Sequence, residues 1–370
     1  MRLKTLSFLP LLFILVIGCR PAPTVSAVDP YLSPLKASMK TLLSDRDTIT
    51  GTWESAGWWN SANVLTTVIR YSAVMKDTTM YPIIEDVYNK AKVVHASTAP
   101  GSKIISVNFI NDYYDDEAWW ALAWIDAYHL THQGKYLAMA KLLFTDLLTG
   151  WSDKYNGGIY WKKNPLAYKN SIANNLFSLT AIRLYKATKE ATYKEWFEKS
   201  VAWYLQSGLI NTDTYYIEDG LCSEGTPNRE RHYTYNQGVA LAVFAEHYLL
   251  TKDKHSLELA EKIAKATFTP TFTTSNGVLK ERLPKIAKGN DGVQFKGIFM
   301  RHLAFLYRVT NNVVYKDFIL KNANSLVTAA YNTTNHSFSC YWSAPSEQPR
   351  CAATSAALDC VIEAEWLQQK

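Results

Sequence analysis

The stretch YYDDEAWWALAWIDAYHLT, residues 113–131, reads as a tryptophan-rich, apolar helix headed by two adjacent aspartates. Two neighbouring negative charges repel each other, and an apolar environment makes the ionisation of Asp115 and Asp116 more costly. A soluble protein needs a reason to place such a pair there. The segments on either side indicate both the fold that holds this helix and a use for its first turn.

The same helical pattern recurs along the chain, with apolar residues at three- and four-residue steps, as in Trp58, Ala62, Leu65 and Ile69. Twelve helices are predicted, at 33–46, 58–76, 82–95, 115–133, 135–150, 170–188, 191–207, 233–251, 254–268, 292–309, 313–330 and 354–368. β-Branched alternation is scarce, and a short strand in a loop is compatible with GGIYW, residues 157–161.

The links between these helices alternate in length. Links that lead into even-numbered helices are long and rich in Gly, Pro, Asn and aromatic residues, whereas links that leave them are mostly tight. Even-numbered helices begin about 55–63 residues apart, which indicates one helical hairpin repeated six times. Six hairpins that close in a ring give an all-α (α/α)6 toroid, and an open solenoid is the alternative.

In such a ring the even helices form the inner wall, and their N-termini share one rim with the long loops. Polar and aromatic residues crowd these starts, as in GWWNSAN, YYDDEAWW, YKNSIANN and RHYTYNQG. Capping explains the Asp, Asn, Ser and Thr residues but does not call for aromatic residues as well. The pattern therefore predicts a ligand pocket at this rim.

Asp115 and Asp116 have two interpretations. One is an N-cap followed by an acid that stabilises the helix dipole. The other is a glycosidase pair, because retaining glycosidases place two carboxyl groups about 5–5.5 Å apart, within reach of neighbouring side chains at a helix start. Each charge discourages ionisation of its neighbour, which keeps one proton available for catalysis.

Composition and motifs exclude several other functions. The formal net charge of +6 is too weak and too evenly spread to indicate nucleic-acid binding. No GxSxG, HExxH, GxGxxG or P-loop motif is present, and no His and carboxylate cluster has metal-ligand spacing. We therefore expect no metal, no cofactor and no nucleic-acid partner.

The first residues, MRLKTLSFLPLLFILVIGC, combine a basic start with an apolar run, which is typical of an export signal. The ending VIGC resembles a bacterial lipobox, so we predict a lipoprotein signal peptide at 1–18 and lipidation of Cys19. A plain secretory signal is the alternative. A short linker at 19–30 and one catalytic domain at 31–370 follow, and the protein is expected as a monomer outside the cytoplasm, held to a bacterial membrane by lipid alone.

Four further cysteines, Cys222, Cys340, Cys351 and Cys360, allow three disulfide pairings in an exported chain. Cys340 and Cys351 bracket one loop and are the expected bridge.

The ordered set YYDDEAWWALAWIDAYHLT, GGIYWKK, YKNSIANNLFSLTAIRLY, DGLC, YNQG and FKGIFMRHLAFLY resembles glycoside hydrolase family 76, the endo-α-1,6-mannanases. The resemblance runs from about residue 40 to the C-terminus. It implies an (α/α)6 fold and retaining cleavage of α-1,6-linked mannose chains without a metal. It further implies that Asp115 is the nucleophile and Asp116 the acid/base.

Residues at the rim are expected to bind sugar. Aromatic residues are candidates for stacking, and amides, acids and Lys296 for contacts with hydroxyl groups. Most of them have a capping or packing alternative, and Lys296 could be a surface charge. The set comprises Trp58, Asn60, Asp112, Trp161, Asn170, Asn174, Asp219, Tyr235, Asn236, Gln237, Asp291, Phe295 and Lys296. Glu117 is interpreted as dipole support in the first helical turn.

Two further functions are compatible with the sequence. A cell-wall transglycosylase would use the same glycosyl-enzyme but pass the sugar to an acceptor glycan. A non-catalytic mannan-binding lipoprotein would keep the pocket without the chemistry, although retention of both aspartates argues against it.

Overall fold

The computed structural model describes residues 29–93, 95–96, 105–164, 168–281, 291–346 and 351–370. The predicted signal peptide, the lipidation site Cys19 and the linker up to residue 28 lie outside this part of the chain.

Twelve α-helices organise the described residues, and each matches one of the predicted helices. They are α1 (Leu32–Ser44), α2 (Trp58–Met75), α3 (Tyr81–Ala91), α4 (Tyr114–Thr131), α5 (Gly134–Leu148), α6 (Ser171–Thr188), α7 (Ala191–Gln206), α8 (Thr234–Thr251), α9 (Lys254–Ala266), α10 (Asp291–Thr310), α11 (Val313–Ser325) and α12 (Cys351–Gln368). None of the helices in the described residues is long and apolar enough to cross a membrane.

The boundaries differ from prediction by a few residues at three places. Helix α3 ends at Ala91 rather than 95, α12 begins at Cys351 rather than 354, and α11 gives way to a π-helical turn at Leu326–Ala330. Two 3-10 turns lie at Thr78–Met80 and Lys154–Asn156.

Short antiparallel strand pairs lie in the long loops. They are β1 (His95–Ala96) with β2 (Ile105–Ser106), β3 (Lys169–Asn170) with β4 (Gly220–Leu221), and β5 (Tyr331–Asn332) with β6 (Ser337–Phe338). GGIYW forms no strand and contributes a single bridge between Ile159 and Trp151.

The even helices form a closed inner ring. Each of α2, α4, α6, α8 and α10 packs against the next even helix, and α12 packs against α2 to complete the circle. Outer helix α1 packs on α12, so the two ends of the described chain close the ring together. There the Tyr31 hydroxyl donates a hydrogen bond to Asn324 Oδ1 at 2.6 Å. The (α/α)6 prediction is therefore confirmed and the open solenoid is excluded.

The inner helices run in the same direction. Asn60 at the start of α2 donates to Gln294 near the start of α10 at 2.7 Å. At the other end, Arg183 of α6 pairs with Asp126 of α4 at 3.2 Å. Tight turns produce this arrangement, because the residue after each inner helix from α2 to α10 adopts the left-handed conformation that ends a helix abruptly. These residues are Lys76, His132, Lys189, Lys252 and Asn311.

The expected disulfide between Cys340 and Cys351 is absent, and the four cysteines of the described residues are free thiols. Cys351 is buried in the core at the start of α12. The loop around Cys340 is held instead by Lys296, whose Nζ donates to the Cys340 carbonyl at 2.8 Å. The disulfide prediction was therefore wrong, and non-covalent contacts hold both segments.

Two glycines set the spacing within the ring. A Cβ atom on Gly297 of α10 would lie 2.5 Å from the Cα atom of Ala356 in α12. A Cβ atom on Gly238 of α8 would lie 2.6 Å from the Cα atom of Phe299 in α10. Both contacts are with helix backbone, which cannot move aside without separating two inner helices.

Replacing Gly297 with Ala should therefore destabilise the protein, although Ala ordinarily favours a helix over Gly. We expect a loss of about 1–3 kcal/mol in the free energy of unfolding, the usual cost of overpacking a core. Urea denaturation would measure it. Gly134→Ala is the control, because no heavy atom lies within 4 Å of the added methyl position at the start of α5. Equal stability of the two variants would contradict the close packing of α10 against α12.

Candidate active site

Asp115 and Asp116 lie in the first turn of α4, at the rim where the inner helices begin. A loop that follows α5 packs against this turn, because Tyr114 N donates to Trp161 O at 3.0 Å and Lys163 N donates to Asp112 O at 2.9 Å. The backbone contacts carry the Trp161 side chain to the carboxylate pair.

The two carboxyl groups have different surroundings. Asp115 is partly exposed and accepts a hydrogen bond from Trp161 Nε1 at 3.0 Å and another from the Asp116 amide at 3.2 Å. Asp116 is 6% exposed and accepts a hydrogen bond from Asn111 Nδ2 at 2.7 Å. The partly exposed Asp115 thus accepts hydrogen bonds from two donors, whereas the buried Asp116 accepts one from Asn111.

Both groups titrate above the usual range of a carboxyl group. Burial raises the pKa of Asp115 to about 7, and the donors Trp161 and the backbone amides partly oppose the rise. Burial and then the charge of Asp115 raise the pKa of Asp116 well above its usual value. The charge of Asp291 adds to both pKa shifts. Because two such close acids cannot both ionise readily, the pair holds a shared proton, favoured on the more deeply buried Asp116.

A buried network behind the pair fixes the loop that carries Asn111. Glu117, fully buried, accepts hydrogen bonds from Asn111 N at 3.1 Å and from Lys163 Nζ at 2.7 Å. Lys163 also pairs with Asp146 at 2.6 Å. Glu117 therefore does more than support the helix dipole, because it holds the backbone of the residue whose side chain holds Asp116.

Two more carboxylates lie at this rim, and the charge of Asp291 acts on the pair. Asp291, the first residue of α10, accepts a hydrogen bond from Trp59 Nε1 at 3.0 Å. Asp219 accepts a hydrogen bond from the Tyr168 hydroxyl at 2.8 Å, and burial raises the pKa of its carboxyl group. Tyr235 lies among these groups, because the charges of Asp219, Asp115 and Asp291 add to burial in raising the pKa of its hydroxyl.

Aromatic rings line the same rim in two clusters. The first contains Tyr235 and Phe295, which stack with centroids 3.8 Å apart and planes inclined by 8°, together with Tyr233 and Trp59 beside Phe295. The second contains Trp161, with Tyr113 and Tyr168 beside it at 5.2 and 6.4 Å. Trp161, Tyr168 and Trp59 each hydrogen-bond one of the carboxylates. Both clusters combine ring faces with acid groups.

The structure thus brings together Asp115, Asp116, Trp161, Asp219, Tyr235, Asp291 and Phe295 from the predicted set. Asp112 is exposed at the same rim. Asn236 is buried beside Asp219, and its side-chain amide, after the Tyr168 hydroxyl, offsets the rise in the pKa of that carboxyl group.

Three other members of the predicted set are buried in contacts within the protein. Trp58 is 3% exposed and packs against Phe109 and Trp120, so its ring offers no face to a ligand. Asn60 is buried against Gln294. Lys296 is no surface charge, since it is 1% exposed and spans from the Cys340 carbonyl to the Trp342 ring.

Three predicted amides stabilise backbone instead. Asn170 caps α6 by accepting a hydrogen bond from Ala173 N at 3.2 Å. Asn174 fixes the loop at Ile159, donating to its carbonyl and accepting from its amide. Gln237 accepts from Ile217 N at 2.5 Å inside the wall. Their side chains are committed to the ring rather than to a ligand.

Trp59 is the most instructive residue that sequence analysis missed. The apolar stripe of Trp58, Ala62, Leu65 and Ile69 marks the core face of α2, which already assigns Trp58 to the interior. Its neighbour Trp59 points off this stripe and is partly exposed at the rim. Asn111 gave no comparable signal, because its contact with Asp116 depends on how the loop before α4 folds.

In the part of the chain that the structure describes, no group of three or more His, Cys, Asp or Glu residues is arranged to hold a metal ion.

Solved structures share this fold closely. An inactive variant of the α-1,6-mannanase GH76A of Salegentibacter sp. HEL1_6, in which two adjacent aspartates are replaced by asparagine, was solved with α-1,6-mannotriose. It superposes with a TM-score of 0.79 at 22% identity, covering 91% of this chain and 99% of that one. The Lin0763 protein of Listeria innocua superposes with a TM-score of 0.77 at 26% identity, covering 91% and 98%.

Curated relatives align with this chain over a smaller share of both lengths. A mannan endo-1,6-alpha-mannosidase, DCW1, of Saccharomyces cerevisiae is 26% identical over 211 residues, which is 52% of this chain and 45% of the relative. A putative mannan endo-1,6-alpha-mannosidase of Schizosaccharomyces pombe is 25% identical over 270 residues, 68% and 58% of the two chains. The alignments thus span about half the length of these relatives.

The sequence profile described as glycosyl hydrolase family 76 matches residues 36–370, almost the whole described chain. Together with the ring fold and its paired acids, this match shows that the chain belongs to glycosyl hydrolase family 76.

Proposed function

We propose that this chain is a retaining endo-α-1,6-mannanase that hydrolyses the α-1,6-linked mannose backbone of mannan. The observation that carries the proposal is the adjacent pair Asp115 and Asp116, which has raised pKa values and unequal surroundings at a rim rich in aromatic residues. Two further facts support it. The Salegentibacter enzyme is inactive when two adjacent aspartates are replaced, and the relatives from yeasts are named as mannan endo-1,6-alpha-mannosidases.

The first step divides the work between the two acids. Asp116 donates its proton to the glycosidic oxygen while the bond from that oxygen to the anomeric carbon breaks. The Asp115 carboxylate attacks the same carbon and forms a glycosyl ester with the enzyme. Burial and the neighbouring charge keep the proton on Asp116, and the Trp161 and amide donors favour the ionised form of Asp115.

The second step reverses these roles. Asp116, now ionised, takes a proton from water, and the resulting hydroxide attacks the anomeric carbon. The bond to Asp115 breaks, its carboxylate is restored, and the sugar leaves with its original configuration. The oxocarbenium-like transition states carry positive charge, which the nearby carboxylates of Asp219 and Asp291 would stabilise.

Substrate binding is proposed for the two aromatic clusters. Trp161 on one side and Tyr235 on the other are partly exposed and offer flat faces to sugar rings, and the buried Phe295 stacks on Tyr235 and supports it. Asp219, Asp291 and Asp112 would accept hydrogen bonds from sugar hydroxyls. Each face already borders a carboxylate, so a ring that stacks there lies near the catalytic pair.

The decisive experiment uses unbranched α-1,6-mannan and reads the products by size and by reducing ends. Wild type should release a range of oligosaccharides, with the α-anomer appearing first in NMR spectra of a fresh digest. Asp115→Asn and Asp116→Asn should each lower kcat by roughly a thousandfold or more. Asp86→Asn, on outer helix α3, is the control with unchanged activity.

Folding is checked by thermal denaturation. Asp116→Asn should leave the melting temperature equal or higher, because an acid whose pKa is raised on folding must take up a proton at a cost in stability at neutral pH, and an amide carries no such cost. Substantial activity in either catalytic variant would overturn the proposal. Products longer than the substrate, formed when an acceptor glycan is added, would identify a transglycosylase.

The pH profile of kcat/KM tests the two roles separately. Activity requires ionised Asp115 and protonated Asp116, so it should fall as the pH drops through about 7 and again as the pH rises past the raised pKa of Asp116. Trp161→Phe removes a donor that stabilises ionised Asp115, so the acid limb should move to higher pH. Asn111→Ala removes the donor to ionised Asp116, so the alkaline limb should move to higher pH.

Trp196→Phe on outer helix α7 is the control and should move neither limb. Slower catalysis with both limbs unmoved in Trp161→Phe and Asn111→Ala would mean that these residues only support the fold.

We also infer that the enzyme is exported and carries lipid on Cys19, as the sequence VIGC indicates. Labelling of bacteria with a tagged fatty acid should mark wild type and leave Cys19→Ser unmarked. Equal labelling of both would contradict the anchor and leave a plain secretory signal.

A further inference from the structure

A second polar compartment lies inside the ring, beyond the candidate active site. It is a cavity of about 100 Å³ lined by residues from α2, α4, α6, α8 and α10. Along α4 its lining runs from Trp119 to Asp126. Asp126 is eleven residues after Asp115, which is about 16 Å further along the helix. The cavity therefore extends from the middle of the ring toward the end opposite the catalytic rim.

Arginines dominate the lining of this cavity. Arg70, Arg183, Arg301 and Arg308 all contribute. Burial, and then the charges of Arg301, Arg183 and Arg70, lower the pKa of another lining residue, His302, well below its usual value. His302 is therefore uncharged at neutral pH and offers a ring nitrogen rather than a charge.

The carboxylates around the cavity are fewer than the arginines. Arg183 pairs with Asp126 and Arg301 pairs with Asp359, both at 3.2 Å. Arg70 and Arg308 share one carboxylate, that of Glu363. Four guanidinium groups thus face three carboxylates, which leaves an excess positive charge around a cavity where Arg301 is buried and the other three arginine side chains are about a quarter to a third exposed.

Two buried nitrogen atoms of the lining also lack a hydrogen-bond partner among the described residues. His302 is 4% exposed, and its Nε2 atom has no hydrogen-bond partner among the described residues. The buried Nε atom of Arg70 likewise lacks a partner in that part of the chain. A buried polar atom without a partner destabilises the fold, and here both atoms belong to residues that line the same cavity.

We propose that this cavity binds a small oxyanion of the phosphate or sulfate type. Guanidinium groups present paired N–H donors that match the oxygens of such an ion, and the ion would supply the missing negative charge. The unpartnered nitrogens of His302 and Arg70 would then have an acceptor. Entry is from the face opposite the catalytic rim, where the Arg183, Asp126 and Arg308 side chains are about a quarter exposed.

The experiment is isothermal titration calorimetry of the full chain with inorganic phosphate at neutral pH and constant ionic strength. Wild type should show saturable binding of one phosphate per chain. Arg183→Gln should weaken binding about tenfold or more, since it removes one fork of donors. Lys194→Gln, on outer helix α7, is the matched surface control and should bind as wild type does.

Asp126→Asn should change the affinity for phosphate in the opposite direction. It removes a carboxylate and increases the positive excess, so phosphate should bind several times more tightly than to wild type. A misfolded variant could not produce that gain. Absence of saturable phosphate binding in wild type, equal affinity in Arg183→Gln, or weaker binding in Asp126→Asn would each overturn the proposal.

Discussion

The common direction of the six inner helices is the constraint on which the rest of the structure depends. Each inner helix from α2 to α10 ends in a left-handed residue and a tight turn, so the chain must return along the outside before it enters the ring again. All inner N-termini therefore meet at one rim and all inner C-termini meet at the other. Because helix ends carry partial charges, the two rims differ before any side chain is added.

Charged residues follow this polarity. Asp115, Asp116 and Asp291 lie in first turns, where the positive ends of the helices favour carboxylates. Arg70, Arg183 and Arg308 lie in the last two turns of their helices, near the negative ends. The ring thus gathers acids at the rim with the long loops and arginines at the other. Catalysis by carboxylates is suited to the first rim, and an anion to the second.

The sequence predicted the ring because its evidence is local and repeated. Apolar periodicity, long and short links, and a recurring spacing of helix starts required no knowledge of contacts between distant segments. The catalytic pair was also visible, since two adjacent acids before an apolar helix conflict with simple burial. In contrast, the role of Asn60 or Lys296 depends on what faces it across the ring, and only the packed structure supplies Gln294 and the Cys340 carbonyl.

The predictions for single polar residues at the rim depended on the same contacts between distant segments. Polar residues near the helix starts were assigned to a ligand because they share a rim, yet Asn170, Asn174 and Gln237 satisfy backbone groups that would otherwise be buried without partners. The buried backbone groups of a crowded rim must first be paired by hydrogen bonds within the protein. Only groups that remain partly exposed after that requirement is met, such as Asp115, Trp161 and Tyr235, are available to a substrate.

Trp119 connects the two compartments. Its ring stacks on Trp59, which holds Asp291 at the catalytic rim, and the Arg301 guanidinium lies 5.6 Å from its centroid on the side of the cavity. Trp119 thus lies between the aromatic residues of the catalytic rim and the arginines of the cavity. Burial and neighbouring carboxylates raise the pKa values of Asp115 and Asp116, and the arginines pair instead with carboxylates of their own end of the ring, such as Asp126.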